Sequence, residues 1–412
     1  MAAPPPPARS TARPEIQALR AVAVGAVLFH HGWPAVAPAG YMGVDVFFVV
    51  SGFLITGLLM REAEQRGSIS LRNFYMRRAR RILPAAVAAL LVISAMTLLF
   101  VPQRLWATWF REIVASTLYY ENWQLAIDSQ IPQRADLEST PVQHFWSLSV
   151  EEQFYLFWPL LIVVGLWIAT RRGSASVGTV LAVLGAVTVA SFVHSLVLTA
   201  DDHNLAYFST LSRTWEFGVG GILAIVASRP WPGNDRLRTA VSWIGLVLIV
   251  VPIVSFRTPE VFPGLVVLIP VVGTMAVIWA GMPAGPLSTA RLAGLRPVQW
   301  VGDVSYSLYL WHWPIFMFTP YITGVPSPPW LMVLLVAFSL LVAGLSKRWI
   351  EDPFRHGAHG IRMRSRVLIG GLAATIAVIV GAGLVAPSVA AENMVACEEP
   401  QGSREAERPR PD

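Results

Sequence analysis

Apolar residues fall along this chain in long blocks, not in the alternating or one-faced patterns of a fold that meets water. The blocks lie at about 16–36, 42–60, 82–101, 150–169, 177–199, 208–228, 240–256, 262–281, 300–320, 329–348 and 367–388. Each approaches the ~20 residues that an α-helix needs to cross a bilayer. The pattern predicts an all-α fold, a polytopic membrane helix bundle of eleven spans with no internal repeat.

The polar positions between the blocks test that count. Arg61, Arg66, Arg72, Arg77, Arg78, Arg80 and Arg81 crowd the second connection. Arg171 and Arg172 occupy the fourth, Arg229, Arg236 and Arg238 the sixth, and Arg291 and Arg296 the eighth. Lys347, Arg348, Arg355, Arg362, Arg364 and Arg366 fall in the tenth, whereas 36–41 and 321–328 carry no basic residue. Because basic loops stay cytoplasmic, the pattern places the amino terminus inside and the carboxyl tail outside. It closes only if 102–148 stays on one side. The middle of that stretch, Trp106 to Trp123, looks helical but carries Arg111, Glu112 and Glu121, which a lipid-facing span does not tolerate well. A re-entrant or interfacial helix is expected there; a true span would invert everything downstream.

Composition agrees. Of 412 residues, 54% are hydrophobic and 14% charged, against roughly 25% charged in soluble chains. The net charge of +6 rests on arginine, with Lys347 the only lysine. Its place in inter-span loops points to a lipid bilayer as partner and not to nucleic acid. Cys397 stands alone, which excludes an intrachain disulfide and a cysteine-based metal site; no metal site is predicted. Ala35-Val36-Ala37 resembles a signal-peptide cleavage site, but Arg20, His30 and His31 interrupt the apolar core, so an uncut span is expected. The Pro-rich residues 1–14 and the polar 391–412 read as disordered tails.

Ionisable groups inside spans are costly, and that makes them functional candidates. Arg20 and His31 share the first block. Eleven residues amount to three turns plus ~20°, so both project from one face, ~16 Å apart along the axis. Asp45 and Glu151 enter at the same end as His31. Ser149 with Glu152 fits a capping box that accounts for Glu152 structurally, which leaves Glu151 as the functional carboxylate. A histidine oriented by a carboxylate suits general-base work at neutral pH. Bland readings stand beside these: a snorkelling Arg20, a helix-end His31, and an Asp45 that satisfies a helix dipole. Arg77, Arg78, Arg80 and Arg81 flank a cytoplasmic mouth, where positive-inside bias alone explains them; the functional alternative is a clamp for phosphates. His312 lies deep in the aromatic Ser305–Pro314 stretch, and Trp215 with Glu216 add a further buried carboxylate.

Taken together these residues resemble acyltransferase family 3 membrane proteins. The likeness rests on Arg20-x10-His31, Gly43-Val-Asp45-Val-Phe-Phe with Ser51-Gly-Phe, and Arg77-Arg78-x-Arg80-Arg81-Ile-Leu-Pro84. Phe145-Trp-Ser-Leu-Ser-Val-Glu151-Glu-Gln-Phe-Tyr and Ser305-Tyr306-Ser-Leu-Tyr-Leu-Trp311-His312-Trp-Pro314 complete it, in order over about residues 13–355. The resemblance implies a ten-helix acyltransferase core over 15–355, with 356–390 as basic linker and eleventh helix. It implies acyl-coenzyme A, acetyl-coenzyme A above all, as cytoplasmic donor substrate, no permanently bound cofactor, and residence in a bacterial inner membrane. The implied acceptor is a hydroxyl of an extracytoplasmic cell-envelope carbohydrate, the alternatives being a glycolipid or a small molecule. Arg20 and His31 take over the family's activity motif, and Arg77 and Arg80 its phosphate-binding pair, with Arg78 and Arg81 as neighbours.

The expected mechanism brings the donor's phosphates to Arg77–Arg81 and its arm along the Arg20 face, past Tyr306, Trp311 and His312. His31, oriented by Glu151 or Asp45, then deprotonates the acceptor, or itself carries the acyl group. Some family members continue from an eleventh span into an SGNH-type domain, so a separate or removed domain of that kind is expected as partner. A transporter is the rival class, for which matched broken helices are the sign, and none is found in the sequence.

Overall fold

The computed structural model describes residues 13–131, 134, 139–173, 176–227, 234–325, 327–356 and 365–398. Among them the regular elements are all helical. The chain runs through α1 (Pro14–Gly32), α2 (Gly43–Arg66), α3 (Leu71–Phe100), the short α4 (Trp106–Thr117) and α5 (Glu121–Asp128), α6 (Phe145–Arg172) and α7 (Ser176–Asp201). It continues through α8 (His203–Phe208), α9 (Thr210–Val226), α10 (Asp235–Ser255), α11 (Leu268–Ala280), α12 (Ala290–Ala293), α13 (Arg296–Thr323) and α14 (Pro329–Ser346). A π-turn at Lys347–Glu351 leads into α15 (Asp352–His356), and α16 (Ser365–Glu398) follows.

All eleven expected blocks fall on helices, and seven of the described helices are long and apolar enough to cross a membrane. The other four blocks have physical reasons to fall short. α9 and α11 have 17 and 13 residues. α1 and α13 carry the polar side chains that line the interior. The bundle is apolar outside and partly polar inside: Leu99, Val197, Trp330 and Leu384 face outward, while Asp45, Arg213, Glu216 and His312 are wholly buried.

Two boundaries differ from expectation. α1 stops at Gly32, not 36, because Trp33 precedes Pro34 and a residue before proline avoids the helical region. α16 runs to Glu398, where a disordered tail was expected from 391; the helix-forming Ala390-Ala391-Glu392 carries it on. The tail expectations for 1–12 and 399–412, and most of the linker (357–364), lie outside the described residues.

The stretch after α3 forms a hairpin of two short helices. At 12 and 8 residues, α4 and α5 are each too short to cross. The turn between them contains Tyr119 with φ 57° and lies beside Gln153, ~12 Å into α6. Irregular backbone at such depth needs partners inside the protein. Gln153 supplies them: its Nε2 donates to the Tyr119 carbonyl and to Asn122 Oδ1, both at 2.9 Å. Its Oε1 accepts from Trp123 Nε1 at 3.1 Å and from the Thr210 hydroxyl at 2.5 Å.

Two glycine contacts bring the site-bearing helices together. At the α2–α9 crossing, a Cβ on Gly52 would strike the Phe217 carbonyl and one on Gly220 the Val49 carbonyl, so the two backbones touch. α1 and α13 run side by side in the same direction, with Gln17 against Gly302 at one end and Gly32 against Phe316 at the other. Gly302→Val would place its side chain on the Gln17 carbonyl and push α1 away from α13. Overpacking of this kind costs about 1–3 kcal/mol. The expected result is a lower melting temperature in detergent by thermal scan; an unchanged one would show that the helices part without cost.

Candidate active site

Two chambers open along the shared face of α1 and α13. The chamber nearer the arginine-rich ends measures about 80 Å³ and is lined by Arg20, Ser51, Arg78, Arg81, Glu151 and Tyr306, among others. The second, about 250 Å³, is lined by His30, His31, His144 and Trp313, with Trp146 and Tyr207 as aromatic wall. Arg20 and His31, from one helix, thus line one chamber each.

The first chamber takes two of the four arginines of α3 into its lining. On α3, Arg78 and Arg81 stand three residues apart and face inward, so they line the chamber. Arg77 and Arg80 lie on other faces of the helix, outside that lining. Arg77 is half exposed and pairs with Glu62 at 3.1 Å. Arg78 lies over the Tyr155 ring, 4.4 Å from its centroid. Glu151 also belongs here: Ser51 Oγ donates to it at 2.5 Å and the Tyr155 hydroxyl bonds the same oxygen. It therefore does not orient His31. The capping box is not formed, because α6 starts at Phe145 and places Ser149 inside the helix, its hydroxyl unpartnered. Glu152 lines the chamber as well.

The second chamber gives His31 a partner that the sequence reading did not assign to it. His31 Nδ1 lies 3.0 Å from His312 Nε2, and the rings stack with centroids 5.2 Å apart. His312 Nδ1 in turn lies 3.0 Å from the Leu308 carbonyl. A carbonyl only accepts, so His312 carries its proton on Nδ1. With both rings neutral, its Nε2 accepts from His31 Nδ1–H, and the His31 Nε2 lone pair is left uncommitted. His312 is thus a partner of His31 and does not line the donor-side chamber. Trp311 lines neither chamber. Trp313, which the sequence did not single out, packs on His31: its ring centroid is 4.3 Å from that of His31, and its Nε1 donates to the Thr140 carbonyl at 2.8 Å. The Thr140 hydroxyl bonds Glu112 of α4.

Asp45 does not meet His31 either. It is fully buried and pairs with Arg213 of α9, which also donates through Nε to Glu216 at 2.6 Å. Arg213 was absent from the sequence reading, although an arginine three residues before Glu216 within an apolar block was a readable signal. Its guanidinium carbon lies 5.9 Å from the centroids of both Trp146 and Tyr207. The triad therefore backs the aromatic wall of the second chamber.

The helix bundle thus holds an arginine-lined chamber and a histidine-lined one, which share Val44 and Tyr309 in their walls. The chain belongs to acyltransferase family 3: the family's acyltransferase domain matches residues 13–348. It is 31% identical over 356 residues to the peptidoglycan O-acetyltransferase OatA of Listeria monocytogenes, covering 83% of this chain and 56% of that one. It is 30% identical over 370 residues to the putative peptidoglycan O-acetyltransferase YrhL of Bacillus subtilis, covering 86% and 56%. A putative O-acetyltransferase of Staphylococcus aureus is 31% identical over 370 residues, covering 85% and 59%. The chain thus spans somewhat over half the length of these relatives. No solved structure matches it.

Proposed function

We propose that this chain is a membrane O-acyltransferase that takes an acetyl group from acyl-coenzyme A on the arginine-rich, cytoplasmic face. It passes the group to a hydroxyl of an envelope carbohydrate on the other face of a bacterial cytoplasmic membrane. The observation that carries this reading is the uncommitted Nε2 of His31, fixed by the chain from His31 through His312 to the Leu308 carbonyl. A lone pair held in one tautomer is what a general base requires.

The donor's phosphates meet Arg78 and Arg81, whose forked donors suit phosphate oxygens. Its slender arm follows the Arg20 face through the first chamber. The acceptor enters the second chamber, where Trp146, Tyr207 and Trp313 offer flat apolar faces to a sugar ring. His31 Nε2 takes the acceptor hydroxyl's proton as the oxygen attacks the thioester carbon. The carbon–sulfur bond breaks and the sulfur leaves with its electron pair, taking the proton back from His31 as the free thiol. Glu151, with Ser51 and Tyr155, steadies the first chamber between its arginines.

The test is a proteoliposome with radiolabelled acetyl-coenzyme A outside, on the arginine-rich face, and soluble chitooligosaccharide enclosed. Ester-linked label on the enclosed sugar supports the reading; label retained wholly on the donor sinks it. In the same assay, Arg78→Ala and Arg81→Ala are expected to raise the KM for donor about tenfold or more each, since hydrogen bonds to charged groups are worth ~1.5–3 kcal/mol. Arg77→Ala is expected to leave KM unchanged, because its partner is Glu62.

A further inference from the structure

The two chambers meet at two shared wall residues. Among the described residues, only Val44 of α2 and Tyr309 of α13 line both chambers. Both are almost wholly buried. Tyr309 is not free to swing. Its hydroxyl donates to the His144 carbonyl at 3.1 Å and lies 2.6 Å from Ser147 Oγ, which itself lies 3.3 Å from that carbonyl. Its ring also packs near Phe47 on one side, at 6.3 Å, and His312 on the other, at 5.7 Å. On the transfer reading, an acyl group going from the arginine side to His31 goes by this ring and the Val44 side chain, the two residues both chambers share.

We infer that Tyr309 and Val44 set the length of acyl chain the protein transfers, by a fixed steric waist that admits a two-carbon group and excludes longer ones. The inference rests on the acyl-transfer reading above and adds to it the determinant of donor choice. A wall that cannot rotate discriminates by size. Each additional methylene in a tight apolar site changes the relative rate about 10–200-fold. Anchoring by two α6 groups, the His144 carbonyl and the Ser147 hydroxyl, keeps the ring in place when a larger acyl group presses on it. Thinning either wall opens the waist without touching His31 or the arginines.

The experiment measures thiol release from acetyl-, propionyl- and butyryl-coenzyme A on the purified full chain in proteoliposomes that enclose chitooligosaccharide as acceptor. The quantity read is the ratio of butyryl to acetyl turnover. A ratio taken on one preparation is independent of the fraction of protein that folded. The parent chain is expected to favour acetyl over butyryl by about 10²-fold or more, two methylenes' worth. Tyr309→Ala should raise the ratio at least tenfold, Val44→Ala should raise it less, and Tyr309→Phe, which keeps the ring, should hold it. An unmoved ratio in both alanine variants overturns the inference while acyl transfer stands. A shift in Tyr309→Phe as large as in Tyr309→Ala overturns the steric account. No thiol release by the parent from any donor sinks the transfer reading and this inference together.

Discussion

His31→Ala is expected to lower kcat for acyl transfer by about 10²–10⁴-fold, the range that a positioned general base supplies. The KM for donor should change little, because the arginines that meet its phosphates lie in the other chamber. The reason for so large a loss is geometric. His31 Nε2 is an acceptor on the chamber only because Nδ1 is committed to His312, and His312 is committed to a backbone carbonyl. His312→Ala should therefore also depress kcat, by less, since His31 keeps its place but loses the group that fixes its tautomer. Single-turnover rates in reconstituted protein, normalised to folded protein by size-exclusion, decide the matter. A His31→Ala rate within a few-fold of the parent would return His31 to the bland role of a helix-end histidine, and the transfer chemistry would need another base.

The helices were legible in the sequence because lipid imposes a coarse rule: a long apolar block has little choice but to be a helix. That rule also located His31 and Arg20 on one face of α1, since helical period relates residues within one element. It did not reach relations between elements. His312 was read as a donor-side residue because its depth was apparent but its neighbour was not. The neighbour depends on how closely α1 and α13 approach, which turns on Gly302, a residue without chemistry of its own. Asp45 and Glu151 were drawn toward His31 because all three enter near one end. Each had a nearer partner on another helix, Arg213 for Asp45 and Ser51 for Glu151. Which members of the arginine run face the chamber was not legible for a smaller reason. With four arginines in five positions, some must face inward, and only the orientation of α3 says that these are Arg78 and Arg81. Gln153 was not legible because an amide in an apolar helix gives no sign that it holds a broken backbone at Tyr119, in the hairpin of α4 and α5.

Arg213→Met is expected to abolish accumulation of folded protein. Arg213 pairs with both Asp45 and Glu216, and all three side chains are about 1% exposed or less. Removing one partner of a buried ion pair costs about 3–5 kcal/mol, because a charge is left with no countercharge; here two carboxylates would be stranded. The loss would also free Trp146 and Tyr207, which the guanidinium backs, so the second chamber should lose its wall in whatever fraction folds. Replacing the whole triad tells an electrostatic cause from a packing one. Buried pairs exchanged for neutral groups of similar volume often fold as well or better. The triple variant Asp45→Asn, Arg213→Met, Glu216→Gln should therefore recover a monodisperse peak and a melting temperature near that of the parent. Recovery of folding together with transfer activity would define the triad as a brace. Recovery of folding without activity would assign Asp45 or Arg213 a direct part in the reaction, and an Arg213→Met protein that melts like the parent would show that the triad holds nothing up.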